Sequence, residues 1–375
     1  MLLALLLAIS DAGSSDAGSQ RPFELGPEVR ALYDVVTCQP DAGIPAYCKR
    51  QEPRFKRFRE HWGAKSYEFL KTTQPAELPP ELVYPFGGGD LMMALATFPK
   101  AEVITTLSLE LAGDPRRLRG LDPARLKASL DGIFEASGST LTSNDSKSVN
   151  LSKIQQGELP GQLSMHLIGL ALNGQVPIAA RYFRIEADGA LHYYSKDEVD
   201  ALEGKTAQQL KSNWKPPDFS PAFANVEVEF VPAAEPTAKP RIFRHIGANL
   251  SNAGLEQTPG VVKHLEAKGR VAAMTKAASY LLWREEFSII RKYLVEHARF
   301  MMSDSTGVLP RFWPKTCAVK TYGQFDVSFL RTWELLQTEL SDEFKKQPQR
   351  RLPMRFGYPD GSPEKKSHMF TVECP

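Results

Sequence analysis

The chain has 375 residues, 42% of them hydrophobic, enough to bury a large core as one big α/β domain or two ordinary ones. Its 46 Lys and Arg stand against 44 Asp and Glu, and the net charge of +2 excludes any general electrostatic case for nucleic acid or an anionic membrane as partner. Charge is locally uneven: Lys49, Arg50, Arg54, Lys56, Arg57 and Arg59 form one basic run and Lys345, Lys346, Arg350 and Arg351 another, for which solvated helix faces are the ordinary account.

In chain order, residues 2–9 are an unbroken apolar run of signal-peptide size. The run is too short for the roughly 20 residues that span a bilayer. Residues 11–20 follow as a small, polar, flexible spacer. No Lys or Arg precedes Arg21, so the basic segment usual before such a run is missing. The expectation is a bacterial protein exported to the periplasm or beyond, with no transmembrane segment. Four cysteines fit it, and pairing Cys38 with Cys48 and Cys317 with Cys374 is the simplest of three connectivities.

Phe55, Phe58, Trp62, Phe69 and Leu70 recur at helical spacing and predict a helix over 52–71, closed by Pro75, Pro79 and Pro80. A strand from Leu82 then enters Tyr84-Pro85-Phe86-Gly87-Gly88-Gly89-Asp90, followed by an apolar helix over 91–98 and a strand over 101–110. Strand, glycine turn, helix, strand is a Rossmann-like unit. Its loop N–H groups can hold an anionic or polar ligand, and Glu110 falls where such sites keep a hydroxyl-binding acid. The glycines are contiguous, however, and lack G-x-G-x-x-G spacing.

Asp122-Pro123 opens a helix over 124–135, and the small, polar residues 137–150 read as a surface loop long enough to be a lid. A helix over 163–172 stops at Asn173-Gly174; a strand over 176–186 turns at Asp188-Gly189 into a return strand over 190–194. Strands at 226–231, 241–246, 270–275 and 300–303 alternate with helices at 260–266 and 285–297, and the aromatic tail carries a helix near 328–346. The organisation expected is a signal and spacer (1–20), an N-terminal helical segment (21–78), an α/β core (79–310) and a helical, aromatic tail (311–375). The fold class expected is α/β with a doubly wound, mostly parallel Rossmann-like sheet decorated by an antiparallel hairpin.

Ligands of such sheets bind beyond the carboxyl ends of the strands. There the candidate ligand- or cofactor-binding residues are Gly87, Gly88, Gly89 and Glu110, and the candidate acid/base residues are Asp90, Lys276 and Asp304. Each has a plainer reading: Asp90 as N-cap of the helix from Leu91, Lys276 as a surface cation, Asp304 as a turn former in Asp304-Ser305-Thr306-Gly307. The seven histidines show no H-x-H or H-E-x-x-H spacing, and C-x-x-C, G-x-S-x-G and P-loop motifs are missing, so no metal and no particular cofactor is indicated.

Tyr84 to Asp90, together with Lys276-Ala277-Ala278-Ser279-Tyr280-Leu281 and Asp304 to Gly307, resembles a family of bacterial exported proteins over roughly residues 62–325. That resemblance implies export and carries no activity. The chain is also similar to class I methyltransferases, whose first strand, glycine loop and acid-ended second strand are matched by Leu82 and Val83, Gly87 to Gly89, and Glu110. This similarity implies S-adenosylmethionine as cofactor and a cytosolic setting. The chain departs from it at Pro85, where an acid is usual, and in the contiguous glycines. The expected function is an exported protein binding a small polar or anionic ligand at residues 87–90. The alternatives are a cytosolic methyltransferase-like enzyme and a non-catalytic envelope-binding module.

Overall fold

A computed structural model describes residues 21–375 apart from 41, 43, 144–150, 152, 153, 155, 156, 160, 212, 279, 326–333 and 358–366. The expected signal and spacer, and the second half of the expected 137–150 loop, lie outside the described residues.

The ten strands are β1 (Glu81–Pro85), β2 (Val103–Ser108), β3 (Gln175–Ile185), β4 (Leu191–Tyr193), β5 (Asn225–Pro232), β6 (Arg241–Gly247), β7 (Val271–Thr275), β8 (Ala298–Ser303), β9 (Ala318–Gly323) and β10 (His368–Glu373). They form one sheet in the order β4-β3-β5-β6-β2-β1-β7-β8-β10-β9. The five central strands, β6 to β8, run parallel through four pairings, and five antiparallel pairings flank them. The sheet is therefore mixed, which corrects the mostly parallel expectation. The Asp188-Gly189 hairpin is an integral edge of the sheet, reached through β5, and the tail supplies two further strands.

The helices are α1 (Gly26–Val36), α2 (Pro45–Arg57), α3 (Ala64–Thr73), α4 (Leu91–Thr97), α5 (Pro123–Ser143), α6 (Leu163–Leu172), α7 (Lys196–Ala201), α8 (Asn252–Gln257), α9 (Pro259–Glu266), α10 (Ser288–His297) and α11 (Glu334–Lys346). A π-helical turn, Phe58–Gly63, carries α2 into α3. The expected 52–71 helix thus exists but starts earlier, at a proline suited to a first helical position.

Because strand side chains alternate, the sheet feeds two cores. Leu82, Tyr84, Ala272 and Met274 join α1 to α6 on one face. Val83, Ala273, Met301 and Val372 join α8 to α10 on the other. α4 and α6 are apolar on nearly every side and buried along their length, as elements sandwiched between the sheet and an outer helical layer must be.

Two expectations fail for physical reasons. Residues 137–143 continue α5 instead of opening a loop, because their small side chains let the helix press against α2. Gln51 Nε2 donates to Ser137 Oγ at 3.0 Å, and a Cβ on Gly138 would stand 3.1 Å from the Arg54 guanidinium. The tail is not purely helical: β10 inserts between β8 and β9, and both expected disulfides are formed. Cys317 and Cys374 lock the start of β9 to the end of β10.

Candidate functional site

From β1 the chain order runs outward to β2 and β6 on one side and later to β7 and β8 on the other. The chain order reverses at the boundary between β1 and β7, the place where parallel sheets of this kind commonly bind ligands. The glycine loop leaves β1 here, and Lys276 is the first residue beyond β7.

Lys276 Nζ lies 2.6 Å from Asp90 Oδ2, and neither side chain has any solvent exposure. The Tyr84 hydroxyl donates to the same oxygen at 2.9 Å. Burial pushes the Asp90 carboxyl above the usual range, while Lys276 and Tyr84 pull it back. Asp90 does occupy the N-cap position of α4, yet its side chain makes no capping hydrogen bond of normal geometry. Its carboxylate faces the lysine. Lys276 is correspondingly not a surface cation.

Asp304, just past β8, is also wholly buried. Its carboxylate accepts from the N–H groups of Ala277 and Thr306, both at 2.8 Å, and from Thr306 Oγ1 at 2.5 Å. Asp304 therefore ties the loop after β7 to the loop after β8. Gly357 closes over both residues: a Cβ there would stand 2.1 Å from Asp304 Oδ2 and 2.6 Å from Lys276 Cγ. Backbone strain concentrates at this spot. Phe86, Ala277 and Tyr280 hold left-handed φ angles of 60°, 53° and 61°, conformations that cost a side-chain-bearing residue about 1–3 kcal/mol.

The glycine loop is not an open cradle. Gly87 N–H donates to Leu107 O at 3.1 Å, and α6 fills the space over Gly89, where a Cβ would meet Gln162 Oε1 at 2.7 Å and Met165 Cβ at 2.8 Å. Only Gly88, with φ of 49°, needs glycine for its conformation.

Gln162 leads to a second polar group under the ends of β2 and β6. Its main-chain N–H donates to Leu111 O, and His166 lies one helical turn further on. The His166 ring is 4.8 Å from that of His245. His245 Nε2 is 2.7 Å from the Glu110 carbonyl, so this nitrogen must carry the proton, leaving Nδ1 to accept from Thr106 Oγ1 at 3.0 Å. Burial holds the His245 imidazole down at about 4 and His166 well below its ordinary range, so both rings are neutral. Both Gln162 amide atoms, both His166 nitrogens and Glu110 Oε1 are buried without a hydrogen-bond partner among the described residues.

The structure thus gathers Gly87, Gly88, Gly89, Asp90 and Lys276, places Asp304 beside them through Gly357, and sets Glu110 next to Gln162. Gln162, His166, His245 and Gly357 have no motif in the sequence. His166 sits in an apolar run that reads as core, and only a polar Gln at the head of that run was a legible signal. No three His, Cys, Asp or Glu side chains are grouped to hold a metal among the described residues. The fold and site define a mixed α/β protein with a buried polar centre at the carboxyl ends of its parallel strands. Comparison of the chain with family models, curated proteins and solved structures gives no match.

Proposed function

We propose that the chain is an exported, Rossmann-like, doubly wound α/β protein that binds a small, neutral, hydrogen-bonding ligand between the ends of β1, β2 and β6. One observation carries this reading: five buried side-chain atoms on Gln162, His166 and Glu110 have no hydrogen-bond partner among the described residues, and Gln162 lies against Gly89 of the glycine loop. A buried polar atom without a partner costs about 1–3 kcal/mol, so such a concentration calls for something to satisfy it. Neutral donors and acceptors on Gln162 and His166 match amide or hydroxyl groups, and Glu110 accepts from a hydroxyl. The Lys276–Asp90 pair supplies a positioned acid/base couple next to that ligand, in keeping with Asp90, Lys276 and Asp304 as acid/base candidates. Export is supported by two formed disulfides, and no helix among the described residues is long and apolar enough to cross a membrane.

A second reading has one observation in its favour. The parallel strands, numbered in chain order, stand 3-2-1-4-5, the doubly wound order, which suits a nucleoside-containing cofactor such as S-adenosylmethionine. Against it, Gln162 and Met165 occupy the space over the glycine loop.

Thermal unfolding with nucleosides, sugars, amino-acid amides and S-adenosylmethionine tests both. The expected result is stabilisation by a neutral polar compound, about 2.7 kcal/mol at a hundredfold excess over Kd, lost in Glu110→Gln and Gln162→Leu. Stabilisation by S-adenosylmethionine selects the second reading. No stabilisation by any compound, with only ordered water bridging Gln162 and Glu110 in a high-resolution map, leaves a non-catalytic module.

A further inference from the structure

At the opposite end of the sheet, where β2 and β6 begin, a cavity of about 430 Å³ opens between the π-helical turn 58–63 and the ends of α4 and α6. Its walls are apolar where Phe58, Leu95 and Leu172 form them, and Arg59 and Arg241 are also among its lining residues. No Asp or Glu lines it.

The positive charge there is not neutralised. Arg241 Nε donates to Ala101 O at 2.8 Å and its guanidinium lies 5.0 Å from the Phe230 ring centre, but Nη2 is buried with no acceptor among the described residues. Glu102 is spent on Lys239 at 2.9 Å. Burial accordingly lowers Arg241 from the ordinary arginine range, with Glu102 only partly opposing. Arg59 is exposed and makes no ion pair among the described residues. Cations near helix carboxyl ends are favourable, which accounts for arginines at this place. It does not account for one half-buried beside a cavity with a donor left over. A planar guanidinium fork matches a carboxylate or phosphate.

The shape of the space selects between these. Tyr67 and Pro99 also line a second cavity of about 720 Å³, where Leu78, Pro79 and Phe98 stand beside Lys71, Glu77 and Lys100. An inorganic dianion would fill the head of this groove and leave the Leu78, Pro79 and Phe98 surface beyond it uncovered.

We propose that this groove binds a monocarboxylate with an apolar chain, its carboxylate between Arg59 and Arg241 and its chain running past Tyr67 toward Phe98. The site is separate from the crevice at the carboxyl ends, so its failure leaves that reading untouched.

Isothermal titration of the full-length, disulfide-intact protein with octanoate, octanol and inorganic phosphate tests the proposal. Octanoate is expected to bind at least tenfold more tightly than either of the others, and Arg59→Ala and Arg241→Gln are each expected to weaken it tenfold or more. Arg59→Ala carries the test alone if Arg241→Gln fails to fold, because Arg59 is exposed. The proposal is overturned if octanoate does not bind at millimolar concentration, if phosphate or octanol binds as well, or if octanoate binds Arg59→Ala as it binds the wild type.

Discussion

Among single residues, the Lys276–Asp90 pair stakes the most free energy. Removing one partner leaves the other charged and buried, which costs about 3–5 kcal/mol, whereas replacing both by apolar residues is often neutral. Lys276→Met should therefore lower stability by about that amount in urea titrations, and Lys276→Met with Asp90→Leu should recover most of it; a single variant within 1 kcal/mol of wild type would discount the pair. Gly357→Ala forces a Cβ onto Asp304 and imposes a φ of 61° on alanine, so a loss of about 1–3 kcal/mol is expected from the same titration. The buried histidines set a pH dependence. His245 and His264 both sit at about 4 when folded and near 6.5 when unfolded, so between these values the unfolded chain binds more protons. Their contribution is fully present above pH 6.5 and is lost as pH falls toward 4, at up to about 1.4 kcal/mol per pH unit for each ring. His245→Gln should flatten the fall of the urea midpoint over that window; an unchanged slope would show that His245 does not titrate there. At this scale Asp90, Lys276 and Asp304 were legible because strand ends followed by polar residues announce themselves. His166 and Gly357 were not, since each acquires its role from a residue more than fifty positions away, and Gln162 showed only as a polar residue heading an apolar run.

At the level of elements, the carboxyl-terminal strands show how a covalent bond and side-chain caps finish a sheet. β9 is an edge, and an edge left bare is a template for aggregation. Its carbonyls at Val319, Gly323 and Thr321 accept from Gln347, Gln349 and Arg350, so part of the basic run at 345–351 is edge cover and not a binding face. The Cys317–Cys374 bond spans 57 residues and in the chain-entropy model contributes about 4 kcal/mol, against about 3 for Cys38–Cys48. Cys317→Ser with Cys374→Ser should speed amide hydrogen exchange in β9 and β10 while β1 and β2 stay protected. Uniform acceleration through the sheet would mean that the edge is not a separate unit of stability. Helices α4, α6 and α9 and strands β1 to β8 stood out in the sequence because apolar runs and turn signals bound them closely. β9 and β10 did not: the two become strands by pairing across the intervening α11 segment.

For the molecule as a whole, ten strands in one sheet with a core on each face make a single framework in which the two candidate sites occupy opposite ends. Intact mass of the protein from its native source should show a chain four hydrogen atoms lighter than the reduced form, from two disulfides; four free thiols would remove the argument for export. By itself the sequence determined the α/β class, the strand–glycine–helix unit at 81–97, the pairing preferred for the cysteines and the near-neutral charge, because these rest on local periodicity, turn chemistry and composition. Tertiary structure alone decided that antiparallel strands flank the parallel centre, that α6 fills the space over the glycine loop, and that Asp90 pairs with Lys276, 186 residues away. Those outcomes depend on which surfaces meet when both faces of one sheet are covered, and no local pattern encodes that.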